Sequence, residues 1–408
     1  KRFGTAFYLE RVNRKLMKDG YLVDTPAPGV YRPVDSSAQV PFSKFYKPNE
    51  LPPPIELSDD VVQAYGRAMH SLGRLDGFWS EIENPEAVFG LFVYKEAEQS
   101  SQVEGTRVTV SDMYEEGEDS KDVREARNYA SALKKAATQL SETGRSRESL
   151  SIELVKQLHS ELMEKGQSDE EDPLPGEFRP GYAWIDESVG LGNRVGFAPP
   201  KPEIAAARME NFEEYMQFEG EYPDLIDIGI LHYQLETIHP FGDGNGRLGR
   251  LLITLQLIQQ GYLSEPYLYP SAYFNEHKIE YVNRMRAVSE EGDWEPWLHF
   301  FVDGIRQQAA DAVTRTDRLR NLRREYEMKY GHEKTATDRL AMRLFQNPYV
   351  TTKEVEGFLD VTHQTARNAI QALEDEGVLQ ETTGKERYQE FKAVDIFDIL
   401  TQSFEETT

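Results

Sequence analysis

Apolar residues recur at helical spacing through most of the chain, broken by short stretches rich in glycine and proline. The clearest run is Leu225, Ile228, Leu231, Leu235 and Ile238. It predicts an amphipathic helix that starts near Pro223 and runs directly into His239. Leu251, Leu252, Leu255 and Ile258 continue a second helix, which Gly261 stops. Upstream, Ser58 and the two acids after it cap a helix with Val62, Tyr65, Met69 and Leu72 on one face. Helices are also expected from Pro85 to Val103, at 122–141, 149–164, 202–218 and 275–290, and in a long arginine-rich connector at 294–330. Proline-rich residues 1–57 predict an irregular arm whose Phe7, Tyr8, Phe42, Phe45 and Tyr46 pack on the body. Residues 111–122 read as an acidic loop, and 182–200 as a short hairpin or flap ending in Phe197-Ala198-Pro199-Pro200.

Near the C-terminus, helices at 341–346, from Thr351, and at 363–376 precede strands at 378–379 and 388–391 around Gly384. That is the order of a winged helix-turn-helix. The expected organisation is an arm (1–57), an N-terminal helical region (58–121), a helical core (122–305), a linker helix (306–335) and a winged-helix unit (336–408). The fold class is mainly α, a helical bundle with one β-hairpin flap.

Composition narrows the function classes. With 408 residues, 39% of them apolar, the chain can bury more than one core. No run approaches the length of a membrane span, and the residues after Lys1 hold no apolar signal core. The absence of cysteine excludes disulfides and thiolate metal sites and fits a reducing, cytoplasmic setting. A net charge of −25 argues against a chain that coats nucleic acid. His363, Gln364, Arg367, Asn368 and Gln371 would face a major groove if the tail bound DNA. Yet residues 331–408 carry 8 Lys+Arg against 15 Asp+Glu, a net of −7, too little positive charge to neutralise phosphates. A protein-docking or homodimerisation role is therefore expected ahead of a DNA-binding regulator.

The candidate chemistry is concentrated in His239-Pro240-Phe241-Gly242-Asp243-Gly244-Asn245-Gly246-Arg247-Leu248-Gly249-Arg250. Residues 244–249 match G-x-G-x-x-G, but a helix rather than a strand precedes them, which excludes the dinucleotide fingerprint. No P-loop motif occurs. A glycine-rich turn at a helix N-terminus favours an anion. Gly244 and Gly246 are expected to supply positive φ, and Asn245 a side-chain amide. Arg247 and Arg250 suit phosphate oxygens, Asp243 suits Mg²⁺, and His239 suits the removal of a hydroxyl proton. Phe241 reads as a core anchor. The set points to phosphoryl or nucleotidyl transfer. Elsewhere, Ser100 and Glu104 share a face at a helix C-terminus, before Gly105. A carboxylate there opposes the helix dipole unless a partner relieves it.

His239 to Arg250 resembles, at every defined position, the H-P-F-x-[D/E]-G-N-G-R-x-x-R motif of the Fic family of protein adenylyltransferases. Gly176-Glu177-Phe178-Arg179 and the flap are similar to that family's pre-motif segment. Ser100 to Gly105 resembles its inhibitory motif, [S/T]-x-x-x-E-[G/N]. The resemblance implies ATP and Mg²⁺, with AMP passing to a Ser, Thr or Tyr hydroxyl of a target protein. It assigns catalysis to His239, Asn245 and Arg247, the metal to Asp243, and the phosphates to Gly244, Asn245, Gly246, Arg247 and Arg250. Val195, Gly196, Phe197 and Tyr281 complete the implied nucleotide and target site. Ser100, Glu104 and Gly105 are implied to be inhibitory, with Glu104 pairing with Arg250. Removal of AMP by the same site is the related alternative, and a DNA-binding regulator with a nucleotide-sensing Fic domain is another. Departures are Tyr281-Val282 in place of a Tyr-Tyr pair, Ser289 in place of a loop asparagine, and the acidic stretch around Glu115.

Overall fold

The computed structural model describes residues 28–79, 85–114, 120–164, 174–189, 192–218, 220–332, 334–384 and 389–401. Phe7, Tyr8, Glu115 and Tyr388 lie outside them. Helices dominate, as the periodicity predicts. At the centre are α6 (Asp224–Ile238) and α7 (Asn245–Gln259), packed on each other. The expectation of an amphipathic α6 is corrected here. Ile226, Ile230 and Tyr233 are as buried as the predicted stripe, because α5 (Pro202–Gln217), α7, α10 (Trp294–Tyr330) and the hairpin strand β2 (Lys44–Pro48) surround the helix.

The first helix, α1 (Asp59–Trp79), lies along α10. Its buried face is displaced from the predicted one. Val61, Ala64, Ala68, Leu72 and Trp79 face inward, while Val62 is 51% exposed. Alanines at two of these positions let the α10 backbone approach, a preference that side-chain size decides and apolar spacing alone does not. The long helix expected at 294–330 is α10, which runs without a break across the domain boundary expected at 305/306. The segment expected as one helix at 275–290 is instead two, α8 (Ser271–Glu276) and α9 (Lys278–Glu291), joined at His277.

Helix α2 (Pro85–Val103) packs on α3 (Lys121–Thr143) and α8. The buried Glu96 carboxylate ties the three together, accepting from Tyr129 at 2.8 Å and from the Ser271 amide at 3.0 Å. Helix α4 (Ile152–Leu162) packs on α3 and α7. The arm is not irregular throughout. β1 (Gly29–Pro33) pairs antiparallel with β2, and the Tyr46 amide donates to the Ala198 carbonyl at 2.8 Å, docking this hairpin beside the end of the flap. The flap is β3 (Ile185–Val189) antiparallel to β4 (Gly192–Phe197).

The C-terminal unit contains α11 (Ala336–Arg343), β5 (Tyr349–Thr351), α12 (Thr352–Leu359), α13 (His363–Asp375), β6 (Leu379–Glu381), β7 (Glu390–Ala393) and α14 (Val394–Thr401). Its sheet runs β5-β7-β6. The helix expected at 341–346 begins earlier because Thr335 and Asp338 form a capping box. The unit docks on α2 and α10: Lys95 Nζ of α2 donates to the Leu400 carbonyl at 2.8 Å, and Arg315 of α10 to that of Ile399 at 2.5 Å. Both cations meet the last turn of α14, where the helix dipole favours them. No helix of the described residues is long and apolar enough to cross a membrane.

Candidate active site

The joint between α6 and α7 builds the site. His239 has φ +49°, a left-handed conformation rare outside glycine, so the surrounding structure must hold it. Arg179 supplies that hold. Its Nε donates to the His239 carbonyl at 2.8 Å, Nη1 to Gly181 O at 2.6 Å, and Nη2 to the carbonyls of Pro200 and Ile238. One buried side chain thus joins the pre-motif segment, the flap exit and the histidine. His239 Nδ1 lies 3.4 Å from the Glu236 carbonyl. The tautomer that donates there leaves the Nε2 lone pair free to accept a proton. Burial, reinforced by the Arg179 charge, pushes His239 down to about 4 despite the opposing fields of Glu104 and Asp243, so it is neutral near pH 7.

The two glycines of the turn do different things, which corrects the expectation of positive φ at both. Gly244 has φ +75°, and a Cβ there would lie 2.9 Å from Met163 Sδ. Gly246 is already helical. It is required for space, since a Cβ would lie 2.4 Å from Glu104 Oε1 and 2.9 Å from Arg250 Nη1. The Asn245 side chain braces the turn itself, accepting from the Phe241 amide at 2.9 Å and donating to the Phe241 carbonyl at 3.0 Å. One Nδ2 hydrogen and the backbone amide remain for a ligand. Phe241 is fully buried and stacks on His159 with ring centroids 3.8 Å apart. His159 Nδ1 accepts from the Gly176 amide at 2.9 Å. Its proton therefore sits on Nε2, which donates to the Asp243 carbonyl at 2.9 Å.

Arg247 and Arg250 are both buried, and each meets a carboxylate from a different helix. Arg250 Nη2 is 2.6 Å from Glu104 Oε1, while Nε and Nη2 donate to Ser100 Oγ at 2.9 Å and Ser100 O at 3.0 Å. Burial opposes the charge of Glu104, but Arg250 outweighs it and holds the carboxyl below the usual range. The partner that a carboxylate at the end of α2 requires is thus Arg250. Arg247 Nη1 donates to Glu125 on α3 at 2.5 Å, and its Nε is buried without a hydrogen-bond partner. An unpartnered guanidinium donor is what a phosphate oxygen would satisfy. The Asp243 side chain is 53% exposed, 3.7 Å from Arg247 Nη2. Among the described residues no three carboxylate or histidine side chains converge. A lone exposed carboxylate fits Mg²⁺ held mainly by phosphate and water oxygens.

Gly196 and Phe197 end the flap strand and are partly buried. Val195 pairs with Asp186, and its side chain lies outside the described set. Tyr281 is buried, its hydroxyl 2.7 Å from His232 Nε2 and its ring beside Phe274, so it forms a wall rather than an exposed nucleotide contact. Ser289 is helical rather than in a loop and bonds the Tyr233 hydroxyl at 2.9 Å. Gly105 has φ +98° and ends the turn that presents Glu104. Sequence reasoning missed Glu125, Arg179, His159 and Glu236. Glu236 has a buried Oε1 without a partner, and burial, with the Glu104 charge adding, pushes it up to about 7 against the pull of Arg250. The only local signal for Arg179 was its place in Gly176-Glu177-Phe178-Arg179.

The N-terminal unit of the Fic/DOC family matches residues 62–138, and the Fic/DOC family itself matches 149–257. Protein adenylyltransferase Fic of Drosophila willistoni is 31% identical over 137 residues, 32% of this chain and 24% of that protein. The protein of the same name from Aedes aegypti is 30% identical over 135 residues, again 32% and 24%. The chain thus spans about a quarter of the length of these curated relatives. A Fic family protein from Desulfovibrio desulfuricans G20 shares the fold, with a TM-score of 0.55 at 19% identity over 84% of this chain and 98% of that one. The chain carries the N-terminal unit and the Fic domain of the Fic/DOC family.

Proposed function

We propose that this chain transfers AMP from ATP to a Ser, Thr or Tyr hydroxyl of a target protein, itself included, and that Glu104 restrains the reaction. The observation that carries the reading is a neutral His239, its Nε2 lone pair free, next to an anion turn with two buried arginines. The target oxygen attacks the α-phosphorus as its proton passes to His239 Nε2. The bond from that phosphorus to the bridging oxygen breaks, and pyrophosphate leaves. The amides of Asn245 and Gly246 and the dipole of α7 would face the phosphates, the Gly244 amide being given to Asp243 Oδ1 at 2.6 Å, and Arg247 and Arg250 would hold the outer ones. Asp243 would hold Mg²⁺, which supplies charge neutralisation to those phosphates when bound. The flap, through Val195, Gly196 and Phe197, would align the target backbone by strand addition. The curated relatives are named adenylyltransferases, which supports this chemistry over the alternatives.

The test is the leaving group: adenylyl transfer releases pyrophosphate in step with protein modification, whereas release of orthophosphate alone would contradict it. The pH profile follows from His239. Its neutral form is the active base, so activity rises with pH through its folded pKa of about 4 and then levels. With Glu104 replaced by glycine, the transfer rate is expected to be flat between about pH 6 and 8 and to fall only toward the acid limit. A half-maximal rate near neutrality would contradict the assignment.

For the C-terminal unit we favour protein docking over DNA binding. On the exposed face of α13, Gln371 is bonded to Glu374 and Asp375, and Gln364 to Asn368, in a region of net negative charge.

A further inference from the structure

Arg247 lies between two carboxylates. Glu125, reaching across from α3, accepts from Nη1 at 2.5 Å, while Asp243, four residues back in the turn before α7, stands 3.7 Å from Nη2. The Arg247 and Glu125 side chains are 5% and 13% exposed, against 53% for Asp243. Attraction strengthens as distance and local dielectric fall, so both differences favour Glu125. Two other groups border the pair. Lys121 Nζ stands 3.7 Å from the second Glu125 oxygen, largely in solvent, and Met163 Sδ lies 3.8 Å from Arg247 Nη2. His159 grips the Asp243 carbonyl from behind, and the Gly244 amide donates to Asp243 Oδ1 at 2.6 Å, one backbone donor beside which a cation would bind.

We propose that Glu125 is a positioning residue that holds the Arg247 guanidinium off Asp243, keeping that carboxylate open for a divalent cation. The inference rests on the adenylyl-transfer reading and deepens it. A buried guanidinium does not stay unpaired, because leaving its charge uncompensated is costly. Without the charge of Glu125, Arg247 would turn to the nearest remaining carboxylate. Asp243, in the turn just before α7, is already within 3.7 Å of Nη2. A guanidinium seated on Asp243 competes with a cation for the same oxygens. It also turns away the Nε edge, which is now buried and without a partner. Glu104 and Glu125 thus act differently on the two arginines. The first occupies the guanidinium that a phosphate needs, and the second aims the other guanidinium.

The experiment is a titration of the full chain with Mn²⁺ in the presence of ADP, reading free Mn²⁺ by electron paramagnetic resonance. Glu125→Gln is expected to raise the Mn²⁺ concentration at half-occupancy by roughly three- to tenfold. The same substitution in an Arg247→Ala chain should cause no shift, because the competitor is gone. Glu125→Asp, which keeps the charge on a shorter arm, should shift the midpoint by an intermediate amount, and it serves alone if the glutamine variant does not fold. An unchanged midpoint in either variant, or a shift that persists with Arg247 replaced, would overturn the proposal. Since Mn²⁺ binding is read without turnover, failure of AMP transfer would sink the parent reading and leave this measurement to decide its own question.

Discussion

Replacing Glu104 with glycine is expected to raise labelling of the chain and its targets by α-labelled ATP roughly ten- to hundredfold, the scale of an ordinary coupling free energy. Glu104 Oε1 and the Ser100 hydroxyl and carbonyl take the Nη2 and Nε donors of Arg250. A γ-phosphate would need that same guanidinium. At 44% exposure the Glu104 side chain still reaches solvent, so the contact can be broken without unfolding a core. Removing it should also leave the fold intact, because the Ser100 hydroxyl and carbonyl still accept from Arg250 Nε and Nη2. Glu104→Gln, which keeps the size and loses the charge, should release less than glycine does. Thermal denaturation should show all three chains folded. Labelling of the glycine variant no faster than the unchanged chain would end the inhibitory reading of this contact.

The second large effect concerns His239. In the Glu104→Gly background, His239→Ala is expected to cut transfer about 10²- to 10⁴-fold while the KM for ATP stays within about twofold. The histidine lies beside the anion turn rather than in it, so its loss removes proton transfer and leaves nucleotide binding. Its left-handed backbone is held by Arg179 rather than by its own ring, so alanine should not collapse the turn. Initial rates at saturating and subsaturating ATP decide the matter. A variant that keeps a tenth of the rate would show that something other than His239 takes the proton.

Much of this site could be read from local pattern. The spacing of Leu225 through Ile238 and of Leu251 through Ile258 placed a turn between two helices, and the residue types within it suggested phosphate chemistry. The unfavourable position of Glu104 at a helix end asked for a cation, and Arg250 is that cation. What escaped was tertiary. Glu125 is one of 71 acidic residues and meets Arg247 only because α3 crosses α7. Arg179 binds main-chain carbonyls, which have no sequence signature. Gly246 looked like a source of positive φ, but its role is to leave room for Glu104 and Arg250. Asn245 looked like a ligand, and its side chain has the further task of bracing Phe241. Such roles depend on what lies opposite a residue in space, and periodicity along the chain does not carry that information.

These contacts describe one loop under two competing claims, the chain's own carboxylate and a nucleotide. The most direct test of the central claim is to incubate the Glu104→Gly chain and Mg²⁺ with α-labelled ATP and, in parallel, with γ-labelled ATP. Label should pass to protein from the α position only. Transfer from the γ position would make the site a kinase, and transfer from neither would contradict the account.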